Sequence, residues 1–372
     1  MTDLSILART QLQSYRLKRQ DREESLSEAR PSPFSLRQAY LLVNDLMAPR
    51  PLIYWADFLF HISLAWGAFV LIVRLPAFSA LQLVALVTAT LAFYRAVIFI
   101  HELAHFKKGR FKAFRQVWNL LCGYPLLLPS FTYDGVHNEH HKRNIYGTAK
   151  DGEYQPFAVQ DPSHIIGFLL LSFIIPSLLY FRFLCLTPLS YLVPPLRRWV
   201  WAHASSLTID ARYVRPKNAL RNDRHWRAQE FMTFLYAAIA TALVGVGYLP
   251  LSVFITWYAI TFLILILNSL RTLAAHAYRN PGEKPMGLVE QYLDSIDIPG
   301  NPVLTPLWAP VGLRYHATHH LFPSMPYHNL AKAHLRLNHE INGEALAAHT
   351  VRKSLWAALR GLWKESSRNT SP

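Results

Sequence analysis

The chain alternates between long apolar stretches and short polar segments, and the lengths of the apolar stretches predict membrane-spanning helices. A hydrocarbon core about 30 Å thick requires about 20 apolar residues in a helix. Residues 55–73 and 81–100 each meet this requirement. Residues 231–267 are apolar almost throughout, but one helix of that length would measure roughly 55 Å. Two glycines and a proline between positions 245 and 250 divide this stretch into a predicted hairpin of two spans.

A fifth apolar stretch, residues 165–186, has a less certain relation to the membrane. Pro176 lies in its middle and Arg182 interrupts it. The segments before and after it are both basic, and basic loops favour the cytoplasmic side. The stretch therefore crosses an even number of times or lies in the interface, and we favour the interface. The pattern predicts an all-α, multi-pass membrane protein with about four transmembrane helices.

Composition supports this prediction and argues against a nucleic-acid partner. Of the 372 residues, 52% are hydrophobic and only 16% are charged, whereas soluble domains average roughly 25% charged residues. The formal net charge is nevertheless +15, which fits cytoplasmic loops that face anionic lipid. No basic stripe interleaved with aromatic residues is present, so we expect no nucleic acid. We expect a multi-pass protein of the cell (inner) membrane.

The chain divides into three predicted regions. Residues 1–50 are polar and charged and lack the pattern of a signal peptide, so we expect a cytoplasmic N-terminal segment. Residues 51–337 form the membrane domain, and residues 338–372 form an amphipathic, basic tail. With the N-terminus inside, the second and fourth spans both end on the cytoplasmic side, at His101 and near Arg271.

Eight of the 17 histidines fall in three clusters with the sequences HELAH, HNEHH and HATHH. Residues three and four positions apart lie on one face of a helix. The histidines of each cluster should therefore share a stripe, and three such helices can bring all of them to one site. Solvated surface histidines are the alternative, which two HxxHH clusters and an i,i+4 pair make improbable. The members are His101 and His105; His137, His140 and His141; and His316, His319 and His320.

The number and kind of these ligands favour two redox-active irons. Imidazole-rich sites suit zinc, copper and iron, but zinc sites use only about three or four protein ligands. Eight imidazoles are therefore too many for one ion. The two cysteines, Cys122 and Cys185, lie in apolar stretches and cannot form a metal cluster alone. We predict a di-iron site held by a cytoplasmic helical cap.

The order and spacing of the clusters resemble the integral-membrane fatty acid desaturase and hydroxylase superfamily. The phrases LRYHATHHLFPSMPYHNL and NSLRTLAAHAYRN resemble its bacterial acyl desaturase branch, and the resemblance covers roughly residues 45–337. It implies a ninth histidine ligand just beyond the fourth span, where this chain has His276. Some relatives carry an asparagine four residues before that histidine. Here the position is Thr272, with Asn268 one turn earlier, so this chain departs from that pattern.

The resemblance implies a membrane fatty acid desaturase that introduces a double bond into a fatty acyl chain within the lipid bilayer. Two iron ions would be the cofactors and O2 the co-substrate, because side chains alone cannot remove hydrogen from an unactivated methylene. The chain has no haem signature, cysteine cluster or dinucleotide fingerprint. Electrons are therefore expected from a separate ferredoxin, rubredoxin or cytochrome. A lipid or alkyl hydroxylase and a terminal-alkene-forming fatty acid decarboxylase are alternatives in the same superfamily.

Two interpretations outside this superfamily fit less well. HELAH matches the HExxH motif of zinc metalloproteases, with Glu102 as general base. That interpretation leaves both HxxHH clusters unexplained, and Glu102 at i+1 does not share a helical face with its flanking histidines. A metal transporter would place its ligands near the bilayer midplane, whereas these clusters follow the spans.

The remaining histidines are expected to have lesser roles. His328 follows the third cluster by eight residues and is a candidate to support the metal ligands. His61 lies within the first span, where an ionisable group suggests function, although the sequence shows no partner for it. The others are expected at the interface or in solvent: His164, His203, His225, His334, His339 and His349.

Overall fold

The structure is a computed structural model that describes residues 35–106, 109–216, 223–341 and 348–370. Within these ranges the regular secondary structure is helical, and extended pairing is limited to isolated β-bridges. The all-α prediction is confirmed. Among the described residues, five helices are long and apolar enough to cross a membrane.

The α-helices of the described residues are numbered in chain order. They are α1 (Leu36–Val43), α2 (Pro51–Arg74), α3 (Ala80–His105), α4 (Lys112–Trp118), α5 (Val136–His140), α6 (Ser163–Phe181), α7 (Thr187–Leu192), α8 (Pro194–His203), α9 (Asp223–Gly245), α10 (Ser252–Leu273), α11 (Leu288–Asp294), α12 (Thr305–Trp308), α13 (His316–Leu321), α14 (Leu330–Glu340) and α15 (Leu355–Thr370).

Helices α2, α3, α9 and α10 correspond to the four predicted spans. The predicted break of the hairpin lies where α9 ends, at Gly245, and before α10 begins, at Ser252. Gly247 in this turn has φ 78°, a conformation that glycine adopts without a steric cost. The apolar lengths in the sequence therefore predicted these four helices correctly.

The fifth candidate span is the stretch for which the sequence favoured an interfacial position. Residues Ser163–Leu192 form 30 consecutive helical residues, and an 18-residue window within them has a mean hydropathy of 2.1. Pro176 lies inside α6, and a π-helical turn at Arg182–Leu186 links α6 to α7. The helix packs along α10, where the rings of Phe173 and Phe262 are tilted by 30° with centroids 4.2 Å apart. By length and composition it is a fifth candidate span, and its interfacial placement stays a prediction.

Packing between α2 and α3 fixes the end of α3 that carries the first histidine cluster. Aromatic rings fill the space between these helices and α4; the centroids of Phe58 and Phe99 are 6.0 Å apart and those of Phe58 and Phe114 are 5.4 Å apart. The indole of Trp118 donates to the carbonyl oxygen of Ala96 over 2.7 Å. Edge-to-face aromatic contacts of this kind add stability beyond their buried area. The last turns of α3 are thus held on several sides.

The terminal helices pack onto the membrane domain. Ala39 and Val43 of α1 share a hydrophobic cluster with Leu337 of α14. Leu362 of α15 lies in another cluster with Leu273, at the end of α10. These helices therefore bury one face against the region that carries the histidines.

A buried ionic cluster joins the fifth candidate span to its neighbours. The Glu230 carboxylate on α9 accepts hydrogen bonds from Arg182 over 2.5 Å and from Tyr191 over 3.1 Å, and it pairs with Arg197 at 2.6 Å. Glu230 and Arg182 are both buried. Because a buried charge is costly without its partner, this carboxylate neutralises two cations that would otherwise be exposed to an apolar environment.

We expect Glu230→Ala to lower the free energy of unfolding by roughly 3–5 kcal/mol, since it leaves the buried Arg182 and the partly buried Arg197 without their carboxylate. Thermal unfolding in detergent measures the change as a lower Tm. Asp45→Ala is the matched control, because the Asp45–Arg336 pair is exposed and exposed ion pairs contribute little. Equal Tm values for both variants would show that the buried cluster does not stabilise the fold.

Candidate metal centre

The nine predicted histidines converge beside the end of α3 and divide into two groups. In each of two sets of four, one ring nitrogen per residue lies within 4.8 Å of the others. His141 joins one of these sets, because its Nε2 lies 3.2 Å from that of His137 and 3.1 Å from that of His319. The five-histidine group is His101, His105, His137, His141 and His319, and the four-histidine group is His140, His276, His316 and His320.

Each HxxHH cluster contributes to both groups. In HNEHH the first and last histidines join the five-histidine group, and the middle one, His140, joins the other. In HATHH the middle histidine, His319, joins the five-histidine group and the outer two join the four-histidine group. An α-helix advances about 100° per residue, so positions i and i+4 differ by about 40°, whereas i+3 and i+4 differ by about 100°. The histidines of each HxxHH cluster therefore lie on two adjacent stripes of the helix and not on the single stripe that was expected.

Two carboxylates hold the histidines of the second cluster. The Nδ1 of His137 lies 2.5 Å from Glu153, and the Nδ1 of His140 lies 2.8 Å from Asp151. A carboxylate at Nδ1 fixes the tautomer so that Nε2 presents its lone pair. Sequence analysis missed both residues. The acidic pair that follows HNEHH in the phrase AKDGEYQP was an available signal, since metal-bound histidines commonly donate to a carboxylate.

His276 is positioned by hydroxyl groups. Its Nδ1 lies 2.9 Å from the hydroxyl of Tyr146 and 3.1 Å from that of Ser295. Tyr146 in turn donates to the carboxylate of Asp294 over 3.0 Å. The Nε2 of His276 lies 2.9 Å from that of His316. The ninth histidine, placed by resemblance, therefore faces the other members of the four-histidine group.

Asp297 anchors the short helix α13 that carries the third cluster. Its carboxylate accepts hydrogen bonds from the backbone N–H of Thr318 over 3.1 Å and from the Thr318 hydroxyl over 2.6 Å. The Nδ1 of His334 lies 2.6 Å from the same carboxylate. His334 is only 5% exposed, so its expected solvated position is wrong. Asp297 and His334 together fix the direction of the HATHH histidines.

Burial and the absence of partners make the site suitable for metal ions. Both ring nitrogens of His101 and the Nε2 of His105 are buried and have no hydrogen-bond partner among the described residues. Unpaired buried nitrogens are costly unless an ion satisfies them. Metal ligands must also be unprotonated, and burial lowers the pKa values of the other histidines well below normal. These are His137, His141, His276, His316, His319 and His320.

His140 is the exception to this trend. Burial lowers its pKa, but the adjacent Asp151 carboxylate outweighs burial and the pKa is raised. The same carboxylate accepts the proton of Nδ1, so it leaves Nε2 free to face its group. The donor set therefore fits two metal ions bound by imidazole nitrogen.

An apolar cavity adjoins the histidines between α3, α6 and α10. His101, His137, His140, His276 and His316 line one end of it. The rest of the wall is mostly apolar and includes Val97, Ile98, Phe168, Ile175, Ile264 and Leu265. Ligand cavities are commonly apolar with a few placed polar groups. The cavity is therefore a candidate binding site for an apolar ligand, with the histidines in its wall.

Comparison with known proteins identifies the family. The sequence model of the family described as "Fatty acid desaturase" matches residues 77–352. The chain belongs to the fatty acid desaturase family. It is also similar to a ceramide hydroxylase of Caulobacter vibrioides, with 42% identity over 328 residues that cover 88% of this chain and 93% of the relative. The resemblance seen in the sequence is confirmed, and the protein is a membrane lipid oxidoreductase of the desaturase and hydroxylase family.

Glu102 makes its hydrogen bonds outside both histidine groups in this desaturase-family protein, and its other oxygen lies 3.8 Å from the Nδ1 of His101, beyond hydrogen-bond distance. One oxygen of its carboxylate accepts hydrogen bonds from the Tyr54 hydroxyl over 2.5 Å and from the backbone N–H of Tyr327 over 3.2 Å. A metalloprotease would need this carboxylate as a base beside a metal-bound water. Its partners on α2 and on the loop after α13 favour a structural role.

The intramembrane His61 has a partner that the sequence did not show. Asp57, one turn earlier on α2, lies 2.9 Å from its Nδ1. The same carboxylate binds Arg95 on α3 through two hydrogen bonds of 2.7 and 2.5 Å, and it accepts one from the Tyr327 hydroxyl over 2.7 Å. This network joins α2, α3 and the segment after the third cluster. No contact between His61 and the nine histidines occurs among the described residues.

The other histidines lie away from the two groups. The Nε2 of His328 accepts a hydrogen bond from the backbone N–H of Arg50 over 3.2 Å, and its ring contacts Tyr54. In the described part of the chain, His328 contacts none of the nine histidines of the two groups. No contact therefore supports the role expected for it beside the metal ligands. His349 is half-buried, and four others are exposed as expected: His164, His203, His225 and His339.

We expect Asp151→Asn to reduce metal content and activity roughly 10–100-fold, as loss of a supporting carboxylate does. An amide at this position can donate to Nδ1 of His140, which forces the proton onto Nε2 and removes the lone pair. Elemental analysis of purified protein measures the metal. Asp161→Asn is the matched control, since Asp161 is exposed and bonds only the start of α6. Equal metal content and turnover in the two variants would contradict the role of Asp151.

Proposed function

We propose that the nine histidines hold two iron ions and that the protein oxidises a lipid acyl chain with O2. The observation that carries this proposal is the convergence of nine imidazoles into groups of five and four beside an apolar cavity. When bound, the irons supply the oxidising power that acts on an unactivated methylene and that no side chain has. Family membership supports this proposal.

The residues of this chain orient the ligands and the substrate. Asp151, Glu153 and Tyr146 hold imidazoles by their Nδ1 atoms, so each Nε2 is directed toward its group before any ion binds. The apolar wall of the cavity excludes water and holds the acyl chain in an extended path to the histidines. Such fixed positions are what allow one methylene to react in preference to its neighbours.

We propose hydroxylation of a ceramide acyl chain as the reaction. The support is the similarity to a ceramide hydroxylase across 93% of that relative's length. Hydroxylation consumes O2, two electrons and two protons, inserts one oxygen atom into a C–H bond and releases the other as water. Desaturation, which the HHLFPSMP phrase favours, consumes the same reactants, removes a second hydrogen from the neighbouring carbon and releases two waters. Differences on the order of 1 Å in substrate position decide between these outcomes.

Electrons are proposed to come from a separate ferredoxin, rubredoxin or cytochrome, since the sequence contains no motif for a second redox cofactor. The histidine end of the molecule is proposed to face the cytoplasm at the inner membrane. Exposed basic residues beside the second cluster, Lys142, Arg143 and Lys150, support this orientation. An acidic electron donor would be attracted to such a surface.

The purified protein should contain about two irons per chain, because the histidines form two groups and each group has enough imidazole ligands for one ion. His276→Ala should lower the iron content and abolish activity while expression remains near normal. His339→Ala, at a side chain 86% exposed, is the matched control and should behave as wild type. One stoichiometric zinc without iron in active protein would contradict the di-iron proposal and favour the protease.

The reaction is tested by mass spectrometry of lipids from a host that expresses the protein with a competent electron donor. Ceramides that gain one oxygen atom are the expected product, and His316→Ala should give none. The same lipids with two hydrogens fewer and no added oxygen would instead establish desaturation. Volatile alkenes from free fatty acids would show a decarboxylase of the same family.

A further inference from the structure

Arg271 is a cation in the wall of the apolar cavity without a carboxylate partner. It lies in the last turn of α10, and its guanidinium donates to the side-chain oxygen of Asn268 over 3.0 Å and to the hydroxyl of Thr272 over 2.9 Å. Both acceptors are neutral. Its Nε is buried and has no hydrogen-bond partner, and no carboxylate lies within ion-pair distance among the described residues. Since a guanidinium carries five N–H donors, capacity for another acceptor remains.

Other inward-facing arginines of this chain are satisfied differently. Arg95, Arg115 and Arg182 each pair with a carboxylate at 2.5 to 2.9 Å. Arg215 also has one buried nitrogen, Nη1, without a hydrogen-bond partner among the described residues, but its other nitrogens donate to three backbone carbonyl groups and to a serine hydroxyl. Arg271 donates only to neutral side chains, and it lines the cavity. The residue is half-buried, but its Nε is fully buried, and a buried donor without an acceptor is costly unless a ligand completes its hydrogen bonds.

The position of Arg271 places those donors near the histidines. His101, His276 and His316 line the same cavity as Arg271. Arg271 lies in the last turn of α10, five residues before His276. The rest of the cavity wall is mostly apolar. A polar group bound at Arg271 is thus beside the metal ligands, while an attached chain extends along the apolar wall.

The chemistry of the cavity selects the kind of polar group. Arginine only donates hydrogen bonds, so the ligand must accept them. Glu153 also lines the cavity, with its carboxylate bonded to His137, and a multiply charged phosphate would be repelled by a carboxylate. A carbonyl oxygen accepts hydrogen bonds without a net charge. In a lipid, this oxygen marks the junction between the head group and the acyl chain.

We propose that Arg271 binds the carbonyl oxygen of the substrate's acyl linkage and so places the first carbons of the acyl chain against the histidine groups. This inference rests on the proposed function and adds to it a rule for which carbon of the acyl chain is oxidised. The oxidised carbon is counted from the carbonyl and lies close to it, and its position is independent of acyl chain length. A site that measured from the methyl end would instead move the oxidised carbon with each change of length.

The test uses the iron-loaded protein, a series of ceramides that differ in acyl chain length, and a thioamide ceramide whose sulfur is a weaker acceptor. Wild type should oxidise one carbon near the carbonyl for every length and should turn over the thioamide severalfold more slowly. Arg271→Met should lose roughly 10–100-fold in kcat/KM, as expected for a hydrogen bond from a charged group. It should also oxidise several positions and no longer distinguish the thioamide.

Two further variants separate positioning from folding. Arg271→Lys keeps a donor and should restore the single position and part of the kcat/KM. Arg74→Met is the control variant and should match wild type, because Arg74 is exposed at the C-terminal end of α2. Iron content is measured for each variant, so that loss of metal is not mistaken for loss of substrate contact. If Arg271→Met does not fold, the wild-type results with chain length and with the thioamide still decide the proposal.

The outcomes distinguish this inference from the proposed function. Wild type that oxidises ceramide at a position counted from the methyl end overturns the role of Arg271 and leaves the function intact. Unchanged kcat/KM and unchanged position in iron-loaded Arg271→Met do the same. If wild type oxidises no ceramide, the proposed function fails, and native mass spectrometry of ceramide bound to wild type and to Arg271→Met then tests the carbonyl contact alone. Equal binding by the two proteins overturns it.

Discussion

The structure depends on hydrogen bonds that hold imidazole rings by their Nδ1 atoms. A histidine can bind a metal ion through Nε2 only when that nitrogen is unprotonated and points in a fixed direction. Asp151, Glu153 and the hydroxyl of Tyr146 provide this control for three of the rings. The segments outside the spans therefore have a defined task, which is to bring acceptors to the outer side of these three ligands. Water in their place would leave the tautomers free to exchange.

The membrane helices provide the other half of the arrangement. Helix α3 carries His101 and His105 into the site, and α10 ends just before His276. The cavity between these helices and α6 is lined mostly by apolar residues, and its polar lining includes Arg271 and Glu153 besides the histidines. The acyl chain of the proposed substrate would thus follow a mostly apolar wall to the ligands. This arrangement explains why the enzyme is built at the end of a helix bundle and not at its centre.

The sequence predicted those features that depend on local spacing. Span lengths and the i,i+3 and i,i+4 spacing of histidines involve residues within a few turns, and the structure contains four of the predicted spans and both groups of histidines. Features that depend on distant residues were missed. His334 is buried because Asp297, 37 residues away, binds it, and Asp57 finds Arg95 on another helix. The interfacial placement of the helical stretch Ser163–Leu192 stays a prediction, because its basic flanks favour an even number of crossings whereas its apolar length favours a span.

The pairing of Asp57 with Arg95 has a consequence for how the chain enters the bilayer. Each charge alone would make its helix costly to transfer from the translocation machinery into lipid. The two residues lie on consecutive helices and form two direct hydrogen bonds, so the cost falls once α2 and α3 face each other. The favourable unit of insertion is therefore the helical hairpin and not the single helix.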